Sequence, residues 1–314
     1  MVMLKTTLIT SFAALVCSVN AWTIKETLSG DNFFNGFDYF TGADPTHGFV
    51  QYVDRATAQA KGLISTKNGQ VIIKADDTNI TPNGRPSVRM TSHYTFTEGL
   101  VLFDLEHMPT GCGTWPAFWT LGQGNWPNQG EIDIIEGVHT DSVNQVTLHT
   151  TAGCTMAGVS RAQTGSVLTA NCDVNAAGQG ANVGCGVNAK ASNTFGPGLN
   201  RARGGVYATR WTVANGIQTW FFPRGSIPAD ITREKPNPAA WGTPIASFPF
   251  GGNCPASHFK NHNVVINLTF CGDWAGNVYG NYNCPSNCVD HVANNPKAFS
   301  EAYWKINYLK IFGQ

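Results

Sequence analysis

Three carboxylates fall within the segment GEIDIIEGVH, residues 130–139, where isoleucines separate them. In a regular strand, successive side chains point to opposite faces, so Glu131 and Asp133 would share a face and Glu136 would point the other way. One extra residue, a β-bulge at about Ile134–Ile135, resets the alternation and brings Glu136 into line with the other two acids. The pattern predicts a row of three acids on one sheet face, with the isoleucines packed behind it.

Such a row of acids fits one particular kind of chemistry. Two carboxyl groups roughly 5–5.5 Å apart are typical of enzymes that cleave a glycosidic bond in two displacement steps. One carboxylate attacks the anomeric carbon, while the other protonates the leaving oxygen and later activates water. Crowding of like charges raises the proton affinity of at least one acid. Asp133, between the two glutamates, can share a proton with the nucleophile.

Two other interpretations of the acidic row stay open at this point. The acids could lie on an ordinary solvated strand face. They could also bind a hard cation, with ligands drawn from Glu131, Asp133, Glu136, His139 and His149, although no loop-type Ca²⁺ pattern accompanies them. Zinc is a weaker candidate, because Cys284 and Cys288 have no second cysteine or histidine pair to complete a site.

Short strand-like runs recur along the chain with Gly, Pro and Asn between them, and long helical periodicity is nearly absent. This pattern predicts a one-domain all-β sandwich or barrel. The aromatic run FFNGFDYF, residues 33–40, is expected to be an N-terminal strand that seals the core. The segment from about 152 to 204 carries three cysteines and is long for an unpinned loop, so we expect disulfides to hold it.

Alternation within the strands separates a core face from a polar face. Trp115 and Trp119 share one side of their run, and Phe118 takes the core side. Aromatic rings stack on the apolar faces of sugars, so these two tryptophans are candidates for a sugar-binding cleft. Trp126 lies in a Gly/Asn/Pro loop, where a core role is less natural. The polar face also carries Arg89 and His149.

Features outside this face concern export and folding. Residues 1–21 combine Lys5, an apolar stretch and a small-residue cleavage site, which indicates a secretory signal peptide and a mature domain over 22–314. Nine cysteines are present, and Cys17 lies in the leader, so eight remain for up to four disulfides of undetermined pairing. Asn79 and Asn267 begin glycosylation sequons.

Charge excludes some partners. Lys plus Arg and Asp plus Glu number 20 each, with no basic stripe for nucleic acid. Charged residues make up only 13% of the chain, about half the usual share. No further membrane-spanning stretch and no long apolar C-terminal tail are present. We therefore expect a secreted, extracellular monomer that acts on a neutral polymer.

The motif and its flanks, WPAFWTLGQGNWPNQ before it and NQVTLHT after it, resemble glycoside hydrolase family 16, most closely its secreted fungal laminarinases. The resemblance runs from about Phe33 to Phe312, including TGADPTHGFVQYV and VINLTFCGDWAG. It implies a concanavalin-like β-jelly-roll sandwich with a substrate cleft across one sheet. The bulged E-x-D-x-x-E form resembles laminarinases, whereas transglycosylases of the family usually show E-x-D-x-E.

The resemblance also implies residue roles. Glu131 would be the nucleophile, Asp133 the assisting aspartate and Glu136 the acid/base. Substrate-binding positions implied in the cleft are Trp115, Trp119, Trp126, His149, Arg89 and Trp274. No organic cofactor is implied, and members of the family can hold a structural Ca²⁺ for which this sequence presents no clear ligand set.

Together these observations predict a secreted, retaining endo-β-1,3(4)-glucanase acting on laminarin-type glucans. Two alternatives differ in testable ways. A glucan transglycosylase would use a sugar instead of water as the acceptor and would form longer oligosaccharides from short ones. A non-catalytic glucan-binding lectin would have no use for Glu131 and Glu136, and its binding would survive their replacement by glutamine.

Overall fold

The computed structural model describes residues 21–314. The predicted leader therefore lies outside the described residues, apart from Ala21. Over residues 21–314, no helix is both long and apolar enough to cross a membrane.

Strands dominate the described chain. They are β1 (Thr23–Leu28), β2 (Phe37–Tyr39), β3 (Val50–Tyr52), β4 (Ile64–Lys67), β5 (Gln70–Lys74), β6 (Arg85–Ser87), β7 (Arg89–Phe96), β8 (Gly99–His107), β9 (Thr114–Gly122), β10 (Glu131–Glu136), β11 (Gln145–His149), β12 (Ser166–Val167), β13 (Cys185–Asn188), β14 (Gly205–Thr212), β15 (Gly216–Pro223), β16 (Ala246–Phe248), β17 (His262–Phe270) and β18 (Tyr303–Gly313).

Helices are short and connect the strands. The α-helices are α1 (Arg55–Ala60), α2 (Gly196–Arg201), α3 (Ala229–Thr232) and α4 (Cys288–Asn294). A π-helical turn spans Gly272–Gly276. Single 3₁₀ turns or short 3₁₀ helices span Gly30–Gly36, Arg224–Ser226, Pro238–Ala240, Ala256–His258, Tyr279–Tyr282 and Pro296–Phe299.

Two large antiparallel sheets form the sandwich. The back sheet has the order β16-β15-β14-β8-β18-β5-β4, with β1 also paired to β18. The front sheet has the order β12-β13-β11-β10-β9-β17-β7-β2. The short strands β3 and β6 form a separate parallel pair. The predicted all-β jelly-roll sandwich is confirmed, and the acidic strand β10 lies in the middle of the front sheet.

The core fills the space between the sheets. Phe103 of β8 stacks on Phe118 of β9 with ring centroids 3.9 Å apart, so the two sheets touch at their centres. Phe118 is fully buried, as its alternation predicted. Burying a side chain of this size contributes about 1.5–3 kcal/mol to folding. Trp211 and Trp220 are also buried and serve packing.

One predicted strand is only partly correct. Residues 30–36 of the FFNGFDYF region form a 3₁₀ helix, and only Phe37–Tyr39 pair as a strand. Phe33, Phe34 and Phe37 are nevertheless buried in the main core. The segment seals the core as expected, but with helical backbone, because three phenylalanines that are close in sequence reach the core together only if the chain coils.

Four disulfides use all eight cysteines of the described chain. The pairs are Cys112–Cys284, Cys154–Cys254, Cys172–Cys185 and Cys271–Cys288. Two of them hold the long segment from 152 to 204, as predicted: one ties its start to residue 254, and the other closes a loop within it. This segment lies beside the front sheet, so the disulfides fix one wall of the site described next.

Candidate active site

The acidic strand β10 contains the predicted bulge. Against β9, Asp133 pairs with Trp119 and Ile135 pairs with Phe118, so Ile134 has no partner. The register against β11 shifts over the same stretch, between Asp133 and Glu136. The extra residue lies at Ile134–Ile135, where the sequence predicted it.

The bulge sorts the side chains of β10 as its composition requires. Ile132, Ile134 and Ile135 are all buried in the core between the sheets. Glu131 and Glu136 remain partly accessible and line the same cavity on the other face. The bulge therefore allows apolar and acidic residues to alternate irregularly in one strand, because the isoleucines face the core and the two glutamates face the cavity.

Each glutamate receives a hydrogen bond from an indole. Trp126 Nε1 donates to Glu131 Oε2 at 2.7 Å, and Trp115 Nε1 donates to Glu136 Oε1 at 3.0 Å. An N–H donor stabilises the ionised form of a carboxyl group and fixes its orientation. The two tryptophans come from different elements, the loop before β10 and the strand β9, so each acid is held independently.

Asp133 lies between the glutamates and is only 2% exposed. Its Oδ2 atom is 3.2 Å from His149 Nε2. His149 is paired with Glu131 across the β10–β11 ladder. One polar atom from each of Glu131, Asp133 and His149 falls within 4.8 Å of the other two. The three groups thus form one compact network.

The loop that follows β11 closes tightly over this histidine. Gly184 has φ +63°, and a Cβ atom there would lie 2.4 Å from Leu148 O and 2.8 Å from His149 Nδ1. Only glycine allows both the backbone conformation and this close approach. The His149 ring is therefore packed against residue 184. The centre of the Trp126 ring lies 6.4 Å from the centre of the His149 ring.

Burial raises the pKa of all three acids. The pKa of Glu131 rises to about 8, first through desolvation and then through repulsion by Asp133, against the opposing effects of His149 and the Trp126 hydrogen bond. Desolvation likewise raises the pKa of Glu136 to about 7. The pKa of Asp133 is raised well above its ordinary value, chiefly by burial and then by Glu136. The trio therefore retains protons near neutral pH.

Asp133 decides how those protons are distributed. It is the most buried of the three carboxyl groups, so its neutral form is favoured. Once it is protonated, its repulsion of Glu131 disappears and its O–H can donate to that carboxylate. Protonation of Asp133 therefore lowers the pKa of Glu131 and favours its ionised form.

A cavity of about 810 Å³ lies over these acids on the front sheet. It is large enough for several sugar rings by the usual size of ligand sites. All six predicted cleft residues line it: Arg89, Trp115, Trp119, Trp126, His149 and Trp274. The cavity crosses the strands, since its walls come from β7, β17 and β9 on one side of β10 and from β11 and the 168–183 segment on the other.

The chain belongs to glycoside hydrolase family 16. A model of the XgeA-like catalytic domain of this family matches residues 37–312. A probable glycosidase of Schizosaccharomyces pombe is 47% identical over 292 residues, covering 93% of this chain and 69% of that protein. An endo-1,3(4)-beta-glucanase of Arthroderma benhamiae is 43% identical and covers 93% of this chain and 65% of that protein. The chain thus spans about two thirds of the length of these two relatives.

Solved structures of the family agree with this assignment. A complex of laminarinase 16A from Phanerochaete chrysosporium, with β-glucans in both donor and acceptor sites, has a TM-score of 0.88 and 46% identity. It covers 93% of this chain and all of that one. A family 16 β-1,3-glucosyltransferase described as elongating has a TM-score of 0.86 and 42% identity over 93% of this chain.

The family 16 cleft contains residues that sequence reasoning did not assign to it. Among them are Asp44, Leu168, Thr269 and Asp273. Alternation could have indicated Thr269, since it shares a strand face with residue 267. Asp44 and Asp273 lie outside regular strands, where no periodicity exists to reveal them. Asp44 reaches β17 through a hydrogen bond that Thr269 Oγ1 donates to its Oδ2 at 2.6 Å.

Asn267, which begins one of the two sequons, makes hydrogen bonds within the cleft wall. It is 7% exposed and lies in the cleft wall. Its Oδ1 accepts a hydrogen bond from Trp119 Nε1 at 2.8 Å, and its Nδ2 donates to Tyr52 Oη. A glycan on Nδ2 would need space that the buried amide does not have in this structure, and glycosylation at Asn267 stays a prediction. Asn79 is exposed, and its glycosylation remains a prediction.

Arg89 is placed between aromatic rings of the cleft. Its guanidinium carbon lies 5.0 Å from the centre of the Trp119 ring and 5.1 Å from that of Phe40. Its positive charge also lowers the pKa of Glu131. Among the ion pairs of residues 21–314, none involves Arg89.

The metal interpretation loses one of its ligands. His139 is fully buried, and its Nδ1 accepts a hydrogen bond from the Gly113 N–H at 2.8 Å, away from the cavity. Glu131, Asp133 and His149 are the one ligand cluster found over residues 21–314. Ca²⁺ takes six to eight oxygen ligands, so a cluster of two carboxylates and an imidazole does not fit a structural calcium.

Proposed function

We propose that the protein is a secreted, retaining endo-β-1,3(4)-glucanase that hydrolyses laminarin-type glucans. The observation that carries the proposal is the bulge that brings Glu131 and Glu136 into one cleft, each under its own indole donor. The relatives add support, because they include proteins named as endo-1,3(4)-beta-glucanase and as laminarinase.

The residues suggest the following sequence of steps. A carboxylate oxygen of Glu131 attacks the anomeric carbon, and the bond from that carbon to the leaving oxygen breaks as Glu136 gives that oxygen its proton. Water then attacks the anomeric carbon from the face that the leaving oxygen vacated, Glu136 takes a proton from the water, and the bond from that carbon to Glu131 breaks. Asp133 stabilises the Glu131 carboxylate before attack and after release.

The cleft walls favour a polymeric substrate bound along its length. Trp115 and Trp119 lie on the same face of β9, and Trp274 meets Trp115 at a ring distance of 5.7 Å, edge to face. These rings can contact sugar faces, while Gln145, Asn277 and Asp44 offer polar groups to hydroxyls. Because the cavity extends on both sides of β10, cleavage inside a chain is favoured over cleavage at its end.

Secretion is supported by the leader-like residues 1–21 and by the four disulfides, which persist in oxidising compartments. We also propose that the protein acts as a monomer with no nucleic acid or membrane partner and no organic cofactor.

Products from defined substrates test the proposal. We expect the purified protein to hydrolyse laminarin and lichenan in preference to xyloglucan and cellulose, and NMR to detect the β-anomer first. Glu131→Gln and Glu136→Gln should nearly abolish hydrolysis while oligosaccharide binding remains. Full activity of either variant on laminarin, or the α-anomer as the first product, would contradict the proposal.

A transglycosylase is the second candidate, favoured by the likeness to the elongating glucosyltransferase. It would use the same covalent intermediate with a sugar hydroxyl as the acceptor. Incubation with laminarioligosaccharides separates the two functions, since longer products at low substrate concentration would identify transfer as the main activity.

A further inference from the structure

Asn144, just before β11, joins the two ends of the catalytic bulge. It is fully buried. Its Nδ2 donates a hydrogen bond to the carbonyl of Ile134 at 2.8 Å, and its Oδ1 accepts one from the backbone N–H of Glu136 at 3.1 Å. These two backbone groups flank the point where the β10–β11 register shifts. The side-chain amide therefore takes the place of ladder bonds that the bulge removes.

The two hydrogen bonds define the orientation of the amide. A carbonyl oxygen can only accept, and a backbone N–H can only donate, so the nitrogen of Asn144 must face Ile134 and its oxygen must face Glu136. No hydrocarbon side chain of the same size could satisfy either group. A buried backbone group left without a partner destabilises the fold around it.

Asn144 is itself held from behind. Its backbone N–H donates to Thr194 Oγ1 at 3.0 Å, and its carbonyl accepts from Ala189 N–H at 2.8 Å. Thr194 is in turn bonded through its carbonyl to the hydroxyl of Tyr207, which lies in β14 of the back sheet. The amide is thus fixed relative to both sheets, and its position does not depend on the cleft.

We propose that Asn144 is a positioning residue for Glu136, and that its amide keeps the bulge in the form that points the acid/base into the cleft. A strand without the bulge would turn the Glu136 side chain toward the core, since a shift of one residue exchanges the two faces. This inference rests on the proposed role of Glu136 as acid/base. Asn144 itself reaches no substrate, because its side chain is buried behind the acid.

Leaving-group dependence separates this role from a purely structural one. Substrates with good leaving groups need little protonation, whereas natural glucans need it fully. For Asn144→Leu we expect kcat/KM on laminarin to fall about 10- to 100-fold, less than the full contribution of a general acid. The kcat/KM on dinitrophenyl β-laminaribioside should fall far less. A plot of kcat/KM against leaving-group pKa is therefore expected to be steeper for the variant than for the wild type.

The front sheet offers a matched control. Asn263 lies at a second register shift, between β17 and β7, and its Nδ2 donates to the carbonyl of Ser92 at 2.8 Å. It is 9% exposed and belongs to no part of the proposed mechanism. Asn263→Leu should lower the melting temperature to a comparable degree without steepening the leaving-group plot.

Two further variants make the outcome decisive. Asn144→Ser removes both hydrogen bonds of the amide but leaves a polar side chain and space for water. It therefore keeps the inference testable if Asn144→Leu fails to fold. If the folded Asn144 variants lose activity equally on all leaving groups, or behave like Asn263→Leu, the inference is overturned. Glu136→Gln is the reference for the proposed function, because failure of that variant to steepen the plot would reject Glu136 as the acid independently of Asn144.

Discussion

The indole Nε1 of Trp126 donates a 2.7 Å hydrogen bond to Glu131 Oε2, although the Trp126 side chain as a whole is 43% exposed. This bond lowers the pKa of Glu131 against the effect of burial. In Trp126→Phe we therefore expect the pKa of Glu131 to rise. The nucleophile works only when it is ionised, so activity is lost as pH falls through its pKa. The acid limb of the kcat/KM profile should therefore move to higher pH.

The size of this change follows from the type of bond. A hydrogen bond to a charged group contributes about 1.5–3 kcal/mol, so kcat/KM on laminarin should fall at least about tenfold. The pH–rate profile of the purified variant measures both effects. An unchanged acid limb would mean that Trp126 serves only as a surface for sugar stacking.

Trp115 provides the matching experiment on the other acid. Its hydrogen bond lowers the pKa of Glu136, so Trp115→Phe should raise that pKa while keeping an aromatic ring in the cleft. A general acid works only when it is protonated, so activity is lost as pH rises through its pKa. The effect of Trp115→Phe should therefore fall on the basic limb of the profile, and activity should extend to higher pH. If both tryptophan variants moved the same limb, the assignment of the two glutamates would be wrong.

Asp133→Asn tests the proton sharing within the trio. The charge of Asp133 raises the pKa of Glu131, and the three carboxyl groups titrate as a coupled set. Removing the charge of Asp133 should lower the pKa of Glu131, so the acid limb of the kcat/KM profile should shift to lower pH. The amide can still donate to Glu131, so we expect a loss of activity smaller than that of Glu131→Gln. A shift of the acid limb to higher pH would contradict the network.

Local rules were sufficient to predict the centre of this site. The period of two along a strand made Glu136 inconsistent with Glu131 unless one residue was inserted, and the isoleucines between them required a core face. The same rule separated Trp119 from Phe118. These predictions held because each depends only on neighbours along one strand.

Features that depend on distant parts of the chain could not be predicted in this way. Asp44 reaches the cleft through a loop, and the cysteine pairs join positions up to 172 residues apart. Asn144 carries no motif, since its partners are backbone groups that exist only once the bulge has formed. The burial of Asn267 is another such feature, because a three-residue sequon contains no information about burial.

The Cys172–Cys185 disulfide closes a short loop beside the cleft, where Leu168, Thr169 and Val183 form part of the wall. Replacing both cysteines by serine should cost about 3 kcal/mol in the free energy of unfolding, the value expected for a loop of this length. Because the wall loosens, KM for laminarin should rise severalfold while kcat changes little. Denaturant unfolding and steady-state kinetics measure the two effects.

Removal of Cys112–Cys284 is the control for that experiment. Neither of its cysteines lies as near in sequence to a wall residue as Cys185 lies to Val183, so its loss should destabilise the protein with a smaller change in KM. Equal KM changes in the two variants would show that general loosening, and not the cleft wall, accounts for the effect.

The pH dependence of stability should expose the cost of keeping Glu136 in the cleft. Its folded-state pKa is about 7, raised from 4.5. The folded protein therefore binds more protons than the unfolded chain between these values, and the free energy of unfolding falls as pH rises through this window. Glu136→Gln removes the penalty, so we expect no gain at pH 4 and a gain on the order of 2 kcal/mol at pH 8.

Glu106 gives the control with the opposite sign. Its hydrogen bond and its attraction to Lys305 lower its pKa in the folded protein. Glu106 therefore stabilises the fold at pH values above its pKa in the unfolded chain, and this stabilisation is lost as pH falls through its pKa in the folded protein. Glu106→Gln should thus be less stable than the wild type at pH 8 and similar to it in strong acid. Melting temperatures of both variants across pH 3–9 provide the measurement. If Glu136→Gln followed the Glu106→Gln pattern, burial would not be what raises the proton affinity of Glu136, and the account of the acid/base would have to be abandoned.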